Sequence, residues 1–157
     1  LLSQTDWGEL DFLIIDTPPG TGDVQLTLLQ KIPITATLVV TTPQKVSISD
    51  CRKGIEMIKK LDVPILGLAE NMSWFEPDDS EKKYHIFGRN GGLELAKEYD
   101  LDLLGQIPLV EIEEGVLLYD VPKLNTLFKA LAQKTVDGIA SLNKTRVEKI
   151  PQMQTKE

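Results

Sequence analysis

The residues best placed to do chemistry in this chain follow an apolar run. Leu10-Asp11-Phe12-Leu13-Ile14-Ile15 leads into Asp16, and the chain then breaks into Thr17-Pro18-Pro19-Gly20-Thr21-Gly22-Asp23. A buried parallel strand that ends on an acid and gives way to prolines and glycines presents a carboxylate to a phosphate site. There the carboxylate of Asp16 holds a water on a Mg²⁺ bound to the β- and γ-phosphates. The plainer alternative is an aspartate that caps the turn after the strand. Gly20 has no Cβ, so its backbone N–H can approach a γ-phosphate, and losing that contact on hydrolysis would release the loop. A turn glycine is the bland reading of the same residue. Thr21 and Asp23 serve the loop or the cap of the helix after it and carry no catalytic role.

Positioning such a loop takes a sheet, and the rest of the chain alternates strand-like and helix-like segments as a parallel α/β sheet with helices on both faces requires. Residues 1–10 read as the tail of a helix running into a first strand at 10–16. A short helix spans 24–31, and a β-branched run at 36–41, flanked by Pro33 and Pro43, is the second strand. Ser47 is placed to cap the next helix with Asp50 three residues on, and Ile48, Cys51, Ile55 and Ile58 form one apolar stripe. Strands at 65–69 and 103–107 flank a helix at 91–99. A final amphipathic helix carries Leu124, Leu127, Phe128, Leu131, Thr135, Ile139 and Leu142 on one face. Residues 1–142 thus form one domain or part of one, and 143–157 a polar, frayed tail.

The run Asp16-Thr17-Pro18-Pro19-Gly20-Thr21-Gly22-Asp23 resembles the signature of the Mrp/ApbC family, iron–sulfur cluster carriers within the MinD/ParA-like P-loop ATPases. Further blocks extend the resemblance: Thr42-Pro43-Gln44, Arg52 to Met57, Val63-Pro64-Ile65-Leu66-Gly67, Glu70-Asn71-Met72-Ser73, His85-Ile86-Phe87-Gly88 and Leu104 to Leu109. It implies the C-terminal part of a three-layer P-loop fold, with Asp16 as the Walker B acid. It also implies ATP and Mg²⁺ as cofactors and a homodimer that passes clusters from an assembly scaffold to apoprotein clients. Asn71, closing its strand, is the residue that such ATPases turn to adenine, since an amide offers a donor and an acceptor to the base edge. Pro108, after the next strand, lines the base pocket. The family's usual continuation after that proline, with an arginine and a glycine–aspartate pair, is replaced here by Leu109-Val110-Glu111-Ile112-Glu113-Glu114-Gly115.

Two family features are missing from these residues. No Gly-Lys pair occurs in the 157 residues, so the phosphate-cradling loop is expected upstream. The segment after Asn71 reads Ser73-Trp74-Phe75-Glu76-Pro77 and carries no C-x-x-C, so a 4Fe–4S cluster cannot be held by that pair. Cys51 sits on a helix stripe as a buried thiol, and His85 has no ligand companions in sequence. Trp74 and Phe75 either cover the local core or face a partner. Without the P-loop strand, two neighbouring strands are expected to have open edges, making this segment alone unstable, aggregating, or paired with another chain.

Composition sets the class. A net charge of −7 argues against a nucleic-acid partner, and no apolar run reaches the length of a membrane span. A lone cysteine fits a reducing compartment, and cytoplasm is the expectation. Two other functions stay open. A MinD/ParA-like positioning ATPase would need a basic amphipathic C-terminal helix, and Lys144, Arg146, Lys149 and Lys156 have no apolar face beside them. A non-catalytic interaction protein that lost the P-loop would hydrolyse no ATP.

Overall fold

Apolar residues at strand and helix spacing dictate most of what forms. The computed structural model describes residues 5–77, 82–112 and 114–148. Its elements in chain order are α1 (Asp23–Lys31), β1 (Thr37–Thr41), α2 (Lys45–Lys60), β2 (Ile65–Phe75), α3 (Gly91–Glu98), β3 (Leu103–Leu109), a 3₁₀ turn (Leu118–Asp120) and α4 (Pro122–Glu148). The three strands form one parallel sheet in the order β1-β2-β3. None of the described helices is long and apolar enough to cross a membrane.

The predicted stripe of α2 is where the core closes. Ile55 is fully buried with Leu68 of β2 and Leu95 of α3, and Ile48, Cys51 and Ile58 pack against them. Cys51 also donates a weak hydrogen bond from Sγ to the Val40 carbonyl at 3.3 Å, which keeps the thiol on the sheet. On the other face Gly105 of β3 lies against Leu131 of α4, and Gly138 of α4 lies against Leu66. Alternation along β3 therefore gives Gln106 to the α3 side and Gly105 to the α4 side. Leu124 is buried and Leu127, Leu131, Thr135, Ile139 and Leu142 are half-buried, but Phe128 is exposed.

Five expectations need correction. Residues 10–16 form no strand, and Leu10, Phe12, Leu13 and Ile14 are exposed. A strand exists only by pairing, and neither open edge of this sheet, β1 or β3, is paired with that run. No helix precedes it over residues 5–10, while 1–4 lie outside the described residues. Ser47 does not cap α2. Gln44 stands at the cap position, and the Ser47 hydroxyl instead bonds Thr41 Oγ1 at 3.0 Å and accepts from Thr42 N at 3.1 Å, tying helix to strand end. β2 does not stop at Ala69 but runs to Phe75, so Trp74 and Phe75 belong to a strand and not a loop. Finally, α4 continues through Asn143 to Glu148, where the sequence suggests fraying, and 149–157 lie outside the described residues.

Two ion pairs brace the helices. Arg52 of α2 donates Nε and Nη2 to Glu98 of α3, both at 2.7 Å, and Lys123 of α4 pairs with Glu76 just beyond β2. The hydrogen bond from Arg52 holds the Glu98 carboxyl below its ordinary range, against a smaller opposing effect of burial. Lys123 first, then Trp74, does the same for Glu76. Carboxyls whose folded pKa is depressed contribute stability that is present above the unfolded pKa and lost as pH falls through the folded one. Their contribution is therefore expected to hold from neutrality down to about the ordinary glutamate value of 4.5 and to be lost below it. The double variant Glu76→Gln, Glu98→Gln should flatten that decline. Urea midpoints at pH 7 and pH 3 check it, and an unchanged difference between them would refute it.

Candidate functional site

Parallel strands end together, and in open α/β sheets ligands bind outside their carboxyl ends. Here the β1 end is Thr41 followed by Thr42-Pro43. The register sets Thr41 beside Glu70, Glu70 beside Gln106, and Asn71 beside Ile107, the neighbour of Pro108. One edge of the sheet therefore gathers Thr42, Asn71 and Pro108. Pro108 is buried and lies inside β3 instead of after it, at a point near the strand end where a missing N–H costs no central ladder bond. Asn71 lies within β2, short of its end, and is exposed. Its Oδ1 accepts from Met72 N at 2.9 Å, and Met72 has a left-handed φ of 55°. The Thr42 Oγ1 is buried and has no hydrogen-bond partner among the described residues.

The loop bearing Asp16 and Gly20 is held elsewhere. Gln25 of α1 donates from Nε2 to Thr17 Oγ1 at 3.4 Å and to the Pro18 carbonyl, folding the loop back on the helix that follows it. Asp16 is exposed. Gly20 has a φ of +95°, a backbone state that L side chains rarely adopt, with open space where a Cβ would stand. The structure thus joins Asn71 and Pro108 through the β2–β3 register and ties the Asp16–Gly20 loop to α1. A single exposed carboxylate is a hard oxygen acceptor, the kind suited to holding a water of a Mg²⁺ whose shell is otherwise water and phosphate oxygens.

Sequence reasoning passed over Glu70. It is completely buried in the middle of the sheet, where Oε1 accepts from Gln106 Nε2 at 2.8 Å and Oε2 accepts from the backbone N–H of Gly92 in α3. Its own carbonyl accepts from Ser73 Oγ at 2.9 Å. The available signals were an acid directly following the apolar run 65–69 and a Gly91-Gly92 pair opening a helix.

The segment after Asn71 offers no thiolate. Trp74 is half-buried, donates from Nε1 to Glu76 at 3.0 Å, and carries the Lys83 ammonium 4.1 Å from its ring centre. Phe75 bridges back to Tyr84 in an antiparallel pair. His85 Nδ1 lies 3.2 Å from the Ser73 carbonyl, which makes it a local strut. Among the described residues no three His, Cys, Asp or Glu side chains are grouped to hold a metal ion. With Cys51 turned to the sheet, these residues do not fit a cluster held by the chain's own thiolates.

The family model described as ParA, NUBPL iron-transfer P-loop NTPase, matches residues 1–136. The iron–sulfur cluster transfer protein NUBPL of Mus musculus is 52% identical over 109 residues, 69% of this chain and 34% of the mouse protein. The iron–sulfur cluster carrier protein of Methanocaldococcus jannaschii is 54% identical over 146 residues, 88% of this chain and 50% of that one. That of Pseudomonas fragi is 47% identical over 115 residues, 73% and 40%. This chain spans about a third to a half of the length of these curated relatives. Among solved structures, a nucleotide-binding protein from Archaeoglobus fulgidus in complex with ADP superposes with a TM-score of 0.59 at 35% identity, covering 80% of this chain and 48% of that one.

Proposed function

Because the chain belongs to the ParA family of NUBPL iron-transfer P-loop NTPases, we propose that it carries the switch loop and base-binding edge of an ATP-hydrolysing iron–sulfur cluster carrier. The observation that supports this best is the convergence of Thr42, Asn71 and Pro108 on the carboxyl edge of a parallel sheet. The A. fulgidus relative is a nucleotide-binding protein in complex with ADP, which supports a nucleotide-binding reading.

In this reading Asn71 reads the adenine edge through its amide and Pro108 walls the base pocket. Asp16 holds a water of the Mg²⁺, whose part is to neutralise phosphate charge. Gly20 offers its N–H to the γ-phosphate, and its left-handed backbone leaves room for that approach. The loop's bonds to Gln25 give it a docked state to return to when the phosphate leaves. The cluster is cargo. It is passed to apoproteins by a homodimer whose cluster ligands are not the thiols of this segment.

The test is titration calorimetry of ATP into the protein expressed from its complete reading frame. It is paired with transfer of a reconstituted cluster to an apo-ferredoxin, followed by visible absorbance. Saturable ATP binding and transfer that depends on nucleotide state are expected. No ATP binding would overturn the reading and favour a non-catalytic interaction protein.

A further inference from the structure

Resting on that nucleotide-binding reading, we propose that Glu70 is the positioning residue for the base pocket. Its carboxyl group fixes the separation between Asn71 and Pro108 at the point where the sheet's own backbone ladder lapses.

The lapse is visible in the register. Asn71 pairs with Ile107, and the next pair is Phe75 with Leu109, so β2 spends four residues where β3 spends two. Met72, in the left-handed region, is where the excess is taken up. Bulges of this kind loosen pairing and re-aim side chains. The candidate base contacts sit at its mouth, where the ladder that pairs Asn71 with Ile107 stops short of Pro108.

Glu70 supplies the missing restraint. It immediately precedes Asn71, and its Oε1 takes the Gln106 amide two residues before Pro108. The other oxygen takes the Gly92 N–H, anchoring the group to the first turn of α3. That helix lacks a conventional cap, since Asn90 stands at the cap position with φ 59° and makes no side-chain cap bond. The carboxyl therefore serves as a cap delivered from a neighbouring strand, and the helix dipole favours it there. Both oxygens accept, both donors come from separate elements, and the group is fully enclosed. A buried polar group so fully satisfied specifies one arrangement of its surroundings.

The test compares binding of ATP, GTP and inorganic tripolyphosphate to the full-length protein and three variants. Glu70→Ala and Gln106→Ala break the link. Glu70→Gln keeps an acceptor for Gly92 and, once the Gln106 amide turns over, restores the second bond. Both alanine variants are expected to lose about tenfold of the preference for ATP over GTP while tripolyphosphate binding stays within about twofold, and Glu70→Gln should retain the preference. A merely structural role would lower stability and weaken all three ligands alike, and that result overturns the proposal, as does an unchanged preference in Gln106→Ala. If Glu70→Ala does not fold, Gln106→Ala and Glu70→Gln decide the question. Wild-type protein that binds tripolyphosphate but shows no preference for ATP removes the base pocket itself, and this inference with it.

Discussion

Asp16→Asn in the full-length protein is expected to cut ATP hydrolysis by about a hundredfold or more while leaving affinity for a non-hydrolysable ATP analogue within about threefold. Asparagine keeps the volume and one acceptor oxygen but removes the charge. In the proposed role Asp16 orients groups around the transferring phosphate, so its contribution grows as charge develops on that phosphate and is small in the ground state. Steady-state phosphate release and equilibrium binding separate the two. Turnover within about threefold of wild type would return Asp16 to the role of a turn residue. Asp16 is exposed, so no packing is lost with the charge.

The second large effect concerns Gly92. A Cβ built there would lie 2.8 Å from Glu70 Oε2, 2.9 Å from Glu70 Cβ and 3.1 Å from Leu68 Cδ2. Neither neighbour has room to move, since Glu70 and Leu68 are both fully buried. Gly92→Ala must push α3 off the sheet or break the bond to Glu70, and overpacking together with an unsatisfied buried group costs about 3 kcal/mol. That is a large part of the stability of an ordinary domain. Gly54→Ala in α2 is the control. Nothing lies within 4 Å of a Cβ at that position, and alanine is the better helix former by about 1 kcal/mol, so this change should stabilise. Denaturant midpoints of the two variants should move in opposite directions from wild type, and a Gly92→Ala midpoint at or above wild type would contradict the packing described.

What the sequence made legible follows from periodicity. The α2 stripe through Ile48, Cys51, Ile55 and Ile58 is a local pattern, and each of those residues meets the core. The three strands of the sheet and the helices between them were likewise visible as runs, though β2 extends six residues past the run that marked it. The failures share a physical cause, which is that their outcome depends on partners remote in sequence. Leu10 to Ile15 has the composition of a buried strand, yet pairing decides whether a strand forms. Glu70-Asn71 looked like polar punctuation at a strand end. In fact Glu70 is buried among donors from α3 and β3 that no local window contains, and β2 continues past it. Ser47 had the right spacing for a cap, but the end of β1 competes for its hydroxyl. The site was legible as a set of motifs and not as geometry. Asn71 and Pro108 meet through register, whereas Asp16 and Gly20 are held by Gln25 on α1.

The strand order also bears on how this molecule acquires its shape. In β1-β2-β3 each strand pairs only with its neighbour in the chain, with one helix between them. Each pairing closes a crossover, of 23 residues from β1 to β2 and 27 from β2 to β3, and closure entropy grows slowly with loop length. Parallel pairing across such crossovers forms more slowly than hairpin pairing, because the closure cost is met before the contacts reward it. The α2–α3 core and the Glu70 anchor are those rewarding contacts, and through them the segment from β1 to α4 is expected to close as one cooperative unit.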